Sequence, residues 1–196
     1  MISFIAAISL LLITPGPGVL SVAGVGSAFG YRLGFRYMTG LFVGTNLVAL
    51  CVVTGLAAIL LAEPIIRTFL LWASVIYLLY LAIRIAFSGR QIAFSPALKQ
   101  PGIVDGIALQ MLNPKAYVVN TTLFTGFPLF PGAFGAEILT KFLLVNAIWI
   151  LVHIVWLWAG VSLHRLKLAP RVQFAINVLM ALAMLAVVAL AAWRAF

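Results

Sequence analysis

The chain has 196 residues, of which 65% are hydrophobic and only 8% charged, and its mean hydropathy is +1.24. Soluble domains run at roughly 45–50% apolar and about 25% charged, so these proportions exclude a soluble fold and call for lipid as the solvent. The formal net charge of +9 would point to nucleic acid in a soluble protein. Here the basic residues sit mostly in short connections between apolar runs, which the positive-inside rule explains without any polyanion.

Apolar runs of the length that crosses a membrane, about 17–25 residues, predict six helices at about 2–25, 38–61, 69–87, 104–125, 138–162 and 173–193. The first has no basic stretch before it and is interrupted by prolines, so it reads as a retained span and not a signal peptide. At its middle lies Thr14-Pro15-Gly16-Pro17-Gly18. The second run carries Asn46 and a Gly40-x-x-x-Gly44 pair, which reads as close packing inside the bundle. Cys51, the only cysteine, excludes an internal disulfide. The third run ends near Arg84, which is expected to snorkel to the headgroups. A connection over 88–103, with Pro96 and Pro101, divides a single transmembrane domain (1–196) into halves 1–87 and 104–196.

The fourth run is the most unusual. Asp105 stands near its inner end, and Asn113-Pro114-Lys115 lies at its middle. Proline removes a backbone donor and deprives a carbonyl of its helical partner. A charge at the bilayer centre costs a few kcal/mol even on lenient scales. A span that only had to sit in lipid would carry neither. The fifth run holds Asn146 and His153, and the sixth holds Asn177.

Orientation follows from the basic residues. Connections after the first, third and fifth runs hold Arg32, Arg36, Arg84, Arg90, Lys99, Arg165, Lys167 and Arg171, against Arg67, Lys141 and Arg194 on the other side. The richer side is expected to be cytoplasmic, leaving both termini extracytoplasmic. Three spans per half give the halves opposite orientations. Thr14-Pro15-Gly16 aligns with Asn113-Pro114-Lys115 at an offset of 99, and Asn46 then falls nearly in register with Asn146. The expected fold is therefore an all-α integral membrane bundle of six transmembrane helices. It is read as a 3+3 inverted repeat with broken helices 1 and 4, a hallmark of secondary transporters. Entered from opposite sides, the two breaks lie about 20 Å and about 16 Å along their helices, both near the midplane.

Several motifs then occur in order. They are Thr14-Pro15-Gly16-Pro17; Gly30-Tyr31-Arg32-Leu33-Gly34 followed by Gly40, Gly44, Gly55 and Leu56; Tyr77-Leu78-Leu79-Tyr80-Leu81; and Gly106 with Leu112-Asn113-Pro114-Lys115-Ala116. Together they resemble the LysE/RhtB family of bacterial amino-acid exporters, well over about 10–125 and in hydropathy beyond. The resemblance implies a bacterial inner-membrane protein that exports amino acids or close derivatives and is not an enzyme. It departs from the family at Gly18, where Asp or Asn is usual, at Ala82, and at Asn177.

An amino acid presents a carboxylate and an ammonium. Lys115 is the candidate for the carboxylate, helped by Asn113 and by helix N-terminal amides beyond each break. The ammonium is expected on carbonyls freed four residues before the prolines, those of Leu11, Ile13 and Gln110. The candidate substrate site comprises Thr14, Pro15, Gly16, Pro17, Asn46, Asn113, Pro114, Lys115 and Asn146, with Gln110 and Asn120 as further lining groups. With no acid beside the first break, small or neutral substrates are favoured. No nucleotide-binding loop is present, so pumping should use an ion gradient, with H+ as coupling ion and Asp105 or His153 as candidate relays. Neither a cofactor nor a metal cluster is indicated. The expected partners are the amino acid, the proton and the lipid bilayer, with homo-oligomerisation left open. The rival readings are a structural or assembly membrane protein and a small channel, neither of which requires a charged mid-span tripeptide.

Overall fold

Prolines open half of the helices. A computed structural model describes residues 1–86, 100–166 and 168–193; Arg90, Lys99, Lys167, Arg194 and most of the 88–103 connection lie outside the described residues. Among those described there are eight helices and no strand: α1 Ile2–Ile13, α2 Pro17–Val53, α3 Leu56–Ala62, α4 Pro64–Ala86, α5 Ile103–Leu112, α6 Pro114–Thr125, α7 Phe134–Arg165 and α8 Pro170–Trp193. Helices α2, α4, α6 and α8 each begin on proline, whose missing N–H is one of the orphan donors of a first turn and whose φ suits helix entry.

Three of these helices are long and apolar enough, by length and composition, to cross a membrane: Pro17–Val53, Pro64–Ile85 and Phe134–Leu163. Ile2–Ile13 and Ile103–Leu112 are shorter apolar helices. The 37 residues of α2 would make a rod of about 55 Å, longer than any bilayer core. They do not form one. Gly30 takes φ 77° and ψ −172°, a conformation open to glycine and not to residues with a Cβ. The chain reverses there, and a methyl on Gly34 would stand 3.4 Å from the Cα of Gly26. The 17–29 and 31–53 arms of α2 therefore form a hairpin. The predicted runs at 2–25 and 38–61 are accordingly divided differently, between α1 and the first arm, and between the second arm and α3.

Glycines let backbones touch where the arms of α2 meet their neighbours. A methyl on Gly40 would collide with the backbone oxygen of Ile103, and one on Gly106 with the backbone oxygen of Tyr37, while standing 2.6 Å from the nitrogen of Leu41. On the other arm, a methyl on Gly160 of α7 would strike the backbone oxygen of Ala23. Gly40 and Gly44 thus serve packing against α5. The main apolar cluster, including Val22, Leu41, Leu78, Leu109, Trp149 and Leu157, joins α2, α4, α5 and α7; a second, around Phe4, Ile8, Leu123 and Val145, closes the other end.

Backbone atoms cannot move aside as a flexible side chain does. Gly106→Ala is therefore expected to destabilise the bundle by about 1–3 kcal/mol, seen as a lower melting temperature in detergent. Gly135→Ala, where a methyl would meet nothing within 4 Å, should leave that temperature unchanged.

Candidate functional site

Each break is built by local chemistry. Before Pro15, Thr14 is pushed out of the helical region to φ −54° and ψ 121°, as the residue preceding proline must be. Its N–H and its Oγ1 both turn back onto the carbonyl of Leu10, at 3.2 and 2.6 Å. Its own carbonyl has no helical donor to meet. Gly16 is extended, and α2 begins at Pro17. In the second break Asn113 precedes Pro114 and is extended likewise, with φ −77° and ψ 107°. Its Oδ1 accepts from the Lys115 N–H at 3.1 Å, capping α6, and its Nδ2 donates to Gln110 Oε1 at 3.0 Å.

The two breaks meet. Lys115 Nζ donates to the backbone oxygen of Thr14 at 2.6 Å, across 101 positions of chain. The charged amine of one discontinuity thus satisfies the carbonyl exposed by the other. Gly16 makes room for it, since a methyl there would stand 2.8 Å from Lys115 Cδ and 3.0 Å from Nζ.

Around this contact lies a cavity of about 50 Å³, lined by residues that include Thr14, Gly16, Gly18, Thr45, Gln110, Asn113, Lys115, Asn120, Trp149 and His153. By the usual allowance of about 10–15 Å³ per water, it has room for a few water molecules and for nothing the size of an amino acid. Its polar groups come from the two breaks, the second arm of α2, α5, α6 and α7. His153 is only 3% exposed. Its ring stacks on Trp149, with centroids 3.5 Å apart, and its Nδ1 lies 2.9 Å from the Trp149 backbone oxygen.

The structure redistributes several sequence-predicted groups. Asn46 and Asn146 do not line this cavity. They bond each other reciprocally, Asn46 Nδ2 to Asn146 Oδ1 at 3.0 Å and Asn146 Nδ2 to Asn46 Oδ1 at 2.9 Å. Pro15 and Pro17 shape the break without lining the cavity, and Pro114 faces a separate groove of about 510 Å³ beside α3 and α4. The Gln110 carbonyl, expected to be free, accepts the Asn113 N–H at 3.2 Å. The Met111 carbonyl is met by the Tyr117 hydroxyl at 3.0 Å.

Asp105 is not at the cavity either. It accepts from the Gly102 N–H at 2.8 Å, capping α5, and pairs with Arg84 Nη1 at 2.6 Å. Arg84 therefore does not snorkel. It is 1% exposed, and its Nη1 also reaches the Tyr80 hydroxyl at 3.0 Å. An inward carboxylate on α5 holds it more cheaply than an excursion to the headgroups. Lys141, expected in an outer connection, is equally buried. It donates to the Phe124 carbonyl at 2.8 Å and to Glu137 at 2.7 Å. Trp149 and Thr45 also line the cavity and were not among the sequence-predicted groups. Trp149 had a signal, standing one helical turn before His153, where side chains share a face.

The LysE type translocator family matches residues 9–194. The chain belongs to this family. That family is one of transporters and not of enzymes, and its match agrees with the long apolar helices in placing the chain in a membrane. Curated relatives include proteins named leucine efflux protein from Enterobacter sp. strain 638, 24% identical over 130 residues, and from Klebsiella pneumoniae, 22% identical over 131 residues. An uncharacterized membrane protein of Pseudomonas aeruginosa is 25% identical over 134 residues. Each alignment takes in 64% of this chain and spans 62% of the relative's length. No solved structure matches the chain.

Proposed function

We propose that this translocator exports amino acids, small or neutral ones, from the bacterial cytoplasm by secondary active transport. The observation that carries the reading is the bond from Lys115 to the Thr14 carbonyl. It places a fixed cation in a small cavity between two broken helices, with a neutral oxygen holding the position that a carboxylate would take. A substrate carboxylate is the better acceptor for an ammonium. Its arrival would draw Lys115 from Thr14, part the two breaks and enlarge the cavity. Departure of the cargo would restore the tie. Leucine is the first substrate to try, because the named relatives are leucine efflux proteins.

The same reading takes six crossings: α1 with the first arm of α2, its second arm, α4, α5 with α6, α7, and α8. An inverted repeat of three and three is supported by paired contacts across the halves. Thr14 meets Lys115, Asn46 meets Asn146, and glycine-mediated contacts join each broken helix to a helix of the other half. Rocking of one half on the other around these pairs would give alternating access. Both termini are extracytoplasmic, and the proton is the coupling ion. Of the two titratable candidates only His153 lines the cavity.

Efflux from proteoliposomes loaded with a panel of labelled amino acids tests this. Export of at least one neutral amino acid, accelerated by a pH gradient, is the expected result; no efflux of any member would refute the reading. In whole cells, cysteines at 32 and 165 should label only from the cytoplasmic side. Labelling from outside would invert the topology.

A further inference from the structure

His153 is buried in a way that leaves one nitrogen for something else. Its Nδ1 faces the Trp149 carbonyl at 2.9 Å. A carbonyl only accepts, so Nδ1 carries the proton, and in the neutral ring Nε2 is left as a lone-pair acceptor. Trp149 stacking holds the ring in place. Nε2 has no hydrogen-bond partner among the described residues, although the side chain is 97% covered. Nε2 is not one of the fully buried unpaired polar atoms; on the cavity wall it stands open to a donor that enters.

The space before it belongs to Gly18. A methyl on Gly18 would stand 3.6 Å from His153 Nε2, 3.8 Å from Gln110 Oε1 and 3.9 Å from Gln110 Nε2. The absent side chain therefore keeps open a gap walled by an imidazole acceptor and an amide. Lys115, a donor, lines the same cavity. The cavity thus has a cationic donor end and a neutral acceptor end, which is the complement of a zwitterion.

Resting on the proposed export of amino acids, we propose that His153 Nε2 is the receptor for the substrate's ammonium, in the gap left by Gly18. The site would then select α-amino acids against the corresponding carboxylic acids lacking an amino group. An ammonium hydrogen bond to a buried neutral acceptor needs no fixed negative charge, which suits release as well as capture.

The test compares binding of leucine and of 4-methylpentanoate, which is leucine without its amino group, to the full chain in lipid nanodiscs. If another amino acid binds best, it and its des-amino analogue replace them. The wild type should prefer the amino acid. His153→Phe keeps the ring and its stacking but loses the nitrogen, and should weaken amino-acid binding about 10- to 100-fold, as for loss of a hydrogen bond to a charged group. Binding of the des-amino acid should be unchanged. Gly18→Ala covers Nε2 at an ordinary contact distance, so it should fold and show the same selective loss. It decides the matter if His153→Phe does not fold. An undiminished preference in the folded variant overturns the assignment of His153 while leaving export standing. A wild type that binds no amino acid removes both readings together.

Discussion

Lys115→Ala is expected to reduce export to background while the protein still inserts and accumulates normally. The amine is the only charged group lining the cavity among the described residues, and its bond to Thr14 joins the two helix breaks. Removing it takes away the cation that would meet a carboxylate. It also leaves the Thr14 oxygen, at the end of a helix that proline has interrupted, without its donor. A hydrogen bond to a charged group is worth about 1.5–3 kcal/mol, so loss of the one to the cargo carboxylate alone should lower transport by about 10- to 100-fold. The bundle should survive, because its packing rests on α2 against α5 and α7. Counterflow of labelled amino acid, with the detergent melting temperature measured alongside, separates the two effects. Wild-type transport by the folded variant would sink the site. Gly16→Ala gives a graded version, since its methyl would crowd Lys115 Cδ and Nζ at 2.8 and 3.0 Å; export should fall without loss of the charge.

The second large effect concerns stability. Asp105→Ala should cost about 3–5 kcal/mol, the usual result of leaving one member of a buried ion pair uncompensated. Arg84 is covered to 1% exposure, its Nη1 is spent on Asp105 and Tyr80, and its Nε and Nη2 have no partner among the described residues. The same substitution strips α5 of its cap at Gly102. Arg84→Met should be milder. It leaves Asp105, which is 19% exposed, with its cap and access to water. The double variant Arg84→Met with Asp105→Leu should recover much of the loss, because an apolar pair carries no desolvation cost. Thermal unfolding of the four proteins in one detergent measures the ordering. A single Asp105 variant as stable as the wild type would show that the pair contributes nothing.

Much of this was legible because proline acts locally. Pro15, Pro17 and Pro114 forbid particular backbone hydrogen bonds whatever surrounds them, so both breaks could be placed from the chain alone. The apolar runs likewise required lipid. The close packing of Gly40 and Gly44 was also within reach, since paired small residues in a membrane helix have few other uses. Arg84 and Lys141 were misread for one reason. Each stands near the end of an apolar run, where a headgroup is always an available partner, and nothing in the run shows that Asp105 or the Phe124 carbonyl has been brought closer.

What the sequence determined by itself is a membrane protein with two polar interruptions, each encoded within five residues or fewer. Only the tertiary structure decided what those interruptions face. The turn at Gly30 folds α2 into a hairpin, and that hairpin sets Thr14 against Lys115 and Gly18 against His153. These are meetings of groups 101 and 135 residues apart. A proline's effect is carried by its own backbone and can be read in place. The partner of a buried amine or imidazole is settled by which helices pack together, through a balance of many weak contacts that no local pattern records.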